Sequence, residues 1–272
     1  MGENLLVNTC VFGSILLIYV STVFLISQLK RDNSLMDIAY GPSFFVSALV
    51  MAMLLHTTNV LPLLVLGLTG VWATRLSIRI YRKNKGKPED ARYAAWREEW
   101  QKRGQLYFVI RSFLQVNLLQ GFIILIVSLP FILAITFSDS LNWLWIILGC
   151  LVFTIGLIIE TISDYQLDQF LARKRAGTEP AVIMKTGLFR YARRPNYFGE
   201  TLVWWGFALM VLPLPFGYLG LASPLMITYI VTKVTGPMLE RIFLEKYPVE
   251  YNTYMAETNY FIPGRLKRSE VL

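Results

Sequence analysis

An all-α, polytopic membrane protein of about seven transmembrane helices is the fold class this sequence predicts, and three observations carry it. Of the 272 residues, 55% are hydrophobic and only 16% charged, and the mean hydropathy of +0.49 is too high for a soluble chain of this size. The apolar residues gather into runs near the roughly 20 residues that a helix needs to cross a bilayer. Lysine and arginine are confined to alternate segments between those runs, as a fixed membrane topology requires.

Taken in order, the predicted spans lie at 5–29, 43–55, 60–80, 116–137, 143–162, 201–212 and 218–231. The second and the last two are short, and Pro213, Pro215 and Pro224 leave the last pair open to a kinked or re-entrant path. No basic residue precedes Lys30, and none lies between Arg31 and Arg75, between Arg111 and Arg173, or between Arg194 and Lys233. Each gap matches one out-and-back hairpin, which places the N-terminus outside and the C-terminus and long loops in the cytoplasm. The same pattern accounts for the net charge of +8 and the pI of about 9.5, so nothing here calls for nucleic acid. Residues 1–27 lack the leader and cleavage pattern of a secretory signal and read as a retained first helix. The chain is expected to form a single membrane domain over 1–272, with a polar cytoplasmic insertion at about 82–111 that turns helical near Glu89.

Cys10 and Cys150 fall inside apolar runs and are expected to be inert packing residues. His56 is the only histidine, which leaves no material for a Ser/His/Asp triad or a histidine metal centre, and no metal is expected.

The polar residues then mark the site. The run Gly187-Leu188-Phe189-Arg190-Tyr191-Ala192-Arg193-Arg194-Pro195-Asn196-Tyr197-Phe198-Gly199-Glu200 leads directly into an apolar segment. A residue before proline avoids helical geometry while proline suits a first turn, so a helix starts near Pro195. Asn196, Glu200 and Trp204 then share one face, and an ionisable group at that depth points to a functional cavity. Asp37 and Tyr40, three apart at the entry to the second span, form either a proton-donating pair or a structural hydrogen bond. Arg75, Arg79 and Arg82 line one helical face, the latter two open to a snorkelling role. Glu160 and Asp164 precede Arg173-Lys174-Arg175, a combination suited to ribose hydroxyls and phosphates or to a solvated helix end. Tyr247, Tyr251 and Tyr254 form a stripe that serves as an interfacial anchor or as the lid of a pocket. With neither a G-x-G-x-x-G fingerprint nor a P-loop, any nucleotide is bound outside a Rossmann fold.

These residues resemble the steroid 5-alpha-reductase-like membrane enzymes. The likeness rests on Asn33 to Gly41, Trp72-Ala73-Thr74-Arg75-Leu76, Glu89-Asp90-Ala91-Arg92-Tyr93, Ser163-Asp164-Tyr165, Pro-Asn-Tyr-Phe-Gly-Glu at 195–200 and the ending from Tyr251 to Pro263. The chain looks most like the bacterial-type branch that carries a domain of unknown function, DUF1295. The resemblance implies a helical bundle with a cytoplasm-facing cofactor half at about 160–263, holding NADPH. It also implies reduction of a C=C bond conjugated to a carbonyl in a steroid-like or other lipid drawn from the bilayer. Carried over, the cofactor residues are Arg75, Asp164, Lys174, Arg190, Arg193, Asn196, Tyr197, Glu200, Tyr247 and Tyr251, and the catalytic pair is Tyr40 with Asp37. The chain departs from the steroid reductases in having Tyr40 for a glutamate and Trp72 for a tyrosine, and in lacking a histidine near Gly236–Arg241. A related alternative is the isoprenylcysteine carboxyl methyltransferase-like enzymes, which share an Arg-x-Pro-x-Tyr-x-Gly signature and use S-adenosylmethionine. A third reading is a lipid-binding membrane protein without chemistry. Bacterial inner membrane and endoplasmic reticulum suit the charge pattern equally.

Overall fold

A computed structural model describes residues 1–137 and 141–264. Among these, every regular element is helical and six helices are long and apolar enough to cross a membrane. The chain is a polytopic all-α membrane protein, and it divides into two compact units. Unit 1 comprises Met1–Asn142 and Val211–Ala222; unit 2 comprises Trp143–Met210 and Ser223–Leu272.

Unit 1 opens with α1 (Gly2–Lys30), whose buried residues Phe12, Leu16, Val20 and Phe24 recur every four positions and form one inward stripe. Away from that stripe α1 exposes Leu6, Val7, Leu17, Ile18, Leu25, Ile26 and Leu29, as a hydrocarbon surround allows. It ends at Arg31, which adopts a left-handed conformation and returns its amide to Gln28. α2 (Leu35–Leu54) packs against α1 and α3 (Val60–Asn84). Its Gly41 is a close-approach position, because a Cβ there would lie 3.1 Å from the Ala73 carbonyl of α3. The insertion folds as α4 (Ala91–Gln101), capped by the Asp90 carboxylate on the Arg92 amide, two residues later than the sequence suggests.

The fourth apolar run differs more from expectation. Rather than one span over 116–137, the chain forms α5 (Gln105–Val127), with a π-helical stretch at Phe113–Leu118, and then α6 (Leu129–Thr136). The break falls at Ser128, just ahead of Pro130, whose ring suits a first turn and whose missing N–H suits no later one. Of the eight residues of α6, Pro130 to Ile135 are all buried, so α6 is a core helix. Its Phe131 meets Phe44 edge to face at 6.2 Å, and Phe44 meets Trp72 at 5.8 Å.

Unit 2 contains α7 (Trp143–Arg175) and α8 (Pro195–Val211), which begins at Pro195 as expected. These two helices approach through glycine. A Cβ on Gly156 would lie 2.6 Å from the Gly199 carbonyl, and one on Gly199 would lie 2.6 Å from the Glu160 amide. Gly149 and Gly206 repeat the contact two turns away, so the backbones touch without intervening side chains. α8 has 17 residues, short for a span. The final span is longer than the predicted 218–231: α9 (Gly217–Lys246) carries a π-helical stretch at Ile230–Thr235, and α10 (Pro248–Glu257) follows. Of the two cysteines expected as inert packing residues of apolar runs, Cys10 is exposed on α1 and Cys150 is half-buried on α7.

Candidate functional site

In unit 1 the polar residues collect at the start of α2, and α4 brings most of the partners. The Tyr93 hydroxyl donates to Asp37 Oδ1 at 2.7 Å, and Arg92 Nη2 reaches Asp37 Oδ2 at 3.2 Å. Gln120 Nε2 of α5 donates to the Tyr93 oxygen at 3.4 Å. Burial, and then the Asp37 charge beside it, push the Tyr93 phenol far above its ordinary range, so it stays protonated and donating. Asp90 is pushed up by burial, but its hydrogen bonds with Arg92 outweigh this and hold its carboxyl below the usual range.

A second carboxylate fixes the turn before α2. Glu89 Oε1 accepts from the Asn33 amide at 2.7 Å, while Arg97 donates to both oxygens of Glu89 at 2.8 and 2.9 Å. Both side chains of this pair are largely buried. Asn33 in turn accepts from Ser112 at 3.0 Å and from Gln28 at 3.4 Å. Tyr40 lies on the same helical face as Asp37, half-buried, with its ring edge to face on Phe44 at 5.2 Å. Arg75 is half-buried on α3 in this unit. Along the bilayer face of α1 and α5 runs an apolar groove of ≈ 520 Å³, lined by Leu16, Val20, Leu118 and Phe122 and hollowed by Gly13 and Gly121.

Unit 2 holds the rest. The glycine contact brings α8 against α7 at Glu160, and Asp164, one turn further along α7, is at the level where α8 starts with Asn196. Glu160 and Asp164 are buried, while Asn196, Tyr197 and Glu200 are half-buried. Asp168 is exposed.

Beside them is a cavity of ≈ 400 Å³ whose wall includes Lys174, Arg193, Arg194, Lys246 and the rings of Phe243, Tyr247, Tyr251 and Tyr254. Among the described residues its lining holds four cations and no carboxylate. The two adjacent arginines behave differently. Arg193 gives Nε and Nη2 to Glu240 Oε1 at 2.8 and 2.6 Å, and Nη1 to the carbonyls of Met255 and Thr258. Arg194 stacks over Phe243 at 5.3 Å, and its Nε and Nη2 are buried without a hydrogen-bond partner among the described residues. Buried guanidinium nitrogens of this kind call for an anionic acceptor.

Two phenols of the predicted tyrosine stripe are spent internally: Tyr254 donates to the Phe189 carbonyl at 2.5 Å and Tyr251 to Glu240 at 3.4 Å. Burial raises both above the usual phenol range and takes the Tyr260 phenol up to about 12. What the stripe presents to the cavity is aromatic surface. Arg190 is exposed and outside the lining; its carbonyl accepts from Thr258.

Backbone contacts tie the motif down. The amides of Arg193 and Arg194 donate to the carbonyls of Asn259 and Tyr260 at 2.8 and 3.1 Å. Gly187 has φ +62°, and Gln166, which accepts from the Leu188 amide at 2.9 Å, fills the space a Cβ would need. The residues that sequence reasoning missed are Tyr93 and Arg194. The first is 56 positions from its partner; the second read only as a helix boundary.

Among the described residues no group of three metal-ligating side chains occurs. Residues 23–258 match the family described as Protein of unknown function (DUF1295). Over 71 residues the chain is 38% identical to steroid 5-alpha-reductase DET2 of Arabidopsis thaliana, covering 25% of this chain and 26% of that protein. With steroid 5-alpha-reductase DET2 of Gossypium hirsutum it shares 33% identity over 73 residues, 27% of each chain. An uncharacterized protein of Schizosaccharomyces pombe is 27% identical over 224 residues, which cover 71% of this chain and 60% of that one. The chain thus spans about a quarter of the length of the plant reductases it matches. No solved structure matches it.

Proposed function

We propose that this chain, which belongs to the DUF1295 family and is steroid 5-alpha-reductase-like, is a membrane-embedded, NADPH-dependent reductase of a C=C bond conjugated to a carbonyl in a lipid. The observation that carries this reading is Arg194. Two buried guanidinium nitrogens without an acceptor among the described residues, on the wall of a cavity with three further cations and six aromatic rings, fit a ligand with phosphates and flat rings. The same lining disfavours S-adenosylmethionine, whose sulfonium is itself a cation.

In this reading Arg194, Lys174 and Lys246 hold phosphates, and Arg193 is the strut that sets Arg194's position. The rings of Tyr247 and Tyr251 flank a planar group. Asp164, Asn196, Tyr197 and Glu200 bind hydroxyl and amide groups along the α7–α8 contact, with Arg190 at the rim. NADPH, when bound, would supply a hydride for the β carbon, and a proton from solvent at the α carbon would complete reduction of the C=C bond. In unit 1, Tyr40 donates a hydrogen bond to the carbonyl oxygen, with Asp37 one turn earlier on the same face, while Arg75 is carried over as a cofactor residue. The apolar groove between α1 and α5 suits a hydrocarbon substrate arriving from the bilayer. The site faces the cytoplasm by the charge distribution.

The test is a parallel titration of NADPH, NADH and S-adenosylmethionine into detergent-purified protein, followed by ligand fluorescence and thermal shift. Saturable NADPH binding is the expected result. Binding of S-adenosylmethionine alone overturns the assignment and moves the chain to the methyltransferases.

A further inference from the structure

The insertion contributes more contacts to the start of α2 than a loop connecting two spans needs to make. α4 and the residue before its cap grip the chain on both sides of Ser34: Glu89 takes the Asn33 amide, and Tyr93 and Arg92 take the two oxygens of Asp37. The grip is itself anchored, because Arg97 holds both oxygens of Glu89 and lies over the Phe108 ring at 4.9 Å, while Gln120 holds the Tyr93 hydroxyl. Tyr93 is 3% exposed, which is deep for a residue of a polar cytoplasmic insertion. From the opposite side, Tyr19 and Ser77 donate to the carbonyls of Ala39 and Ile38 at 3.1 and 3.0 Å. The segment from Asn33 to Tyr40 is therefore fixed at both ends and along its length by side chains of α1, α3, α4 and the α3–α4 connection. A helix N-terminus ordinarily frays, so fixation on this scale calls for a reason.

We propose that the cytoplasmic insertion is part of the catalytic apparatus, with Tyr93, Arg92 and Glu89 as positioning residues that clamp the first turn of α2 and so set Asp37 and Tyr40 against the substrate carbonyl. This rests on the reductase reading above for the roles of Asp37 and Tyr40. Hydrogen-bond donors act on a transition state only when held to a fraction of an ångström, and misplacement far from the reacting atoms lowers turnover more than binding. Tyr93 acts through Asp37.

The experiment compares the full-length protein in detergent with Tyr93→Phe, Asp37→Asn and the double variant. Three quantities are read: NADPH affinity, kcat and KM for an enone lipid, and hydrogen exchange of the amides of residues 35–41. Tyr93→Phe is expected to lower kcat at least tenfold, with NADPH affinity within twofold of the wild type and exchange at 35–41 at least tenfold faster. In the Asp37→Asn background the same change costs less than twofold in kcat, because the two residues act as one unit. Wild-type kcat in Tyr93→Phe, or fully additive losses, overturns the proposal. If Tyr93→Phe fails to fold, Arg92→Gln replaces it, its side chain being half exposed; about a threefold fall in kcat is expected, and no fall overturns the clamp. Glu98→Gln, on the exposed side of α4, is the control. A wild type that binds NADPH but reduces no enone removes the reductase reading, while unchanged exchange at 35–41 in Tyr93→Phe removes the clamp, so the two failures are distinguishable.

Discussion

Asp37 in unit 1 and Arg194 in unit 2 are both charged groups set among apolar helices, and they are treated in opposite ways. The two oxygens of Asp37 are met by a phenol and a guanidinium from the protein itself. Arg194 keeps Nε and Nη2 buried with no acceptor among the described residues, although its neighbour Arg193 places all three of its guanidinium nitrogens on Glu240 and two carbonyls. A charge that the fold satisfies holds the fold together. A charge that the fold buries without satisfying costs stability unless something else completes it, which makes it an address for a ligand.

The largest effect expected from breaking this contrast is at Arg193. Arg193→Ala strands Glu240 and removes the partner of the Thr258 carbonyl; loss of one member of a buried pair costs about 3–5 kcal/mol. Thermal unfolding in detergent should show a strongly lowered midpoint. Arg194→Ala should do the reverse: affinity for NADPH falls about 10- to 100-fold, the range for hydrogen bonds to a charged group, while the midpoint without ligand stays level or rises. Equal destabilisation by the two substitutions would erase the distinction between strut and address.

The smallest effect concerns pH. Because Tyr260 titrates near 12 when folded and near 10 when unfolded, the unfolded chain loses its proton first on raising pH. The contribution of this group is intact below pH 10 and is lost between about 10 and 12. Tyr260→Phe should give a shallower fall in thermal midpoint across that window, and unchanged slopes would refute the assignment.

The sequence made the spans legible because hydrocarbon solvent leaves one backbone solution, the helix. Pro195 announced α8 because its ring suits a first turn and no later one. The break at Ser128 is hidden because the residues on either side of it, 122–127 and 131–135, are equally apolar, and a buried core helix and a span have the same composition. Asp37 is legible as an anomalous carboxylate, and helical spacing offers Tyr40, three residues away, as its neighbour. The phenol that reaches it is Tyr93, across 56 positions, and no local periodicity reports a pairing at that distance. Arg194 was read for its backbone, as the residue before proline, and its side-chain situation appears only once Phe243 and the cavity wall surround it.

The binding of the 187–200 motif to residues near 259 also sets an order of assembly. The Arg193 guanidinium contacts Thr258, and Tyr254 contacts Phe189, each across 65 positions. On the ribosome, α7 and α8 emerge and meet through their glycines well before those partners exist, and at that stage the amides of Arg193 and Arg194 lack their carbonyls. Contacts of such separation form late, so the motif is a lock closed by residues 254–260, and nascent chains halted before Asn259 should present it to proteases and to membrane quality control as unfinished.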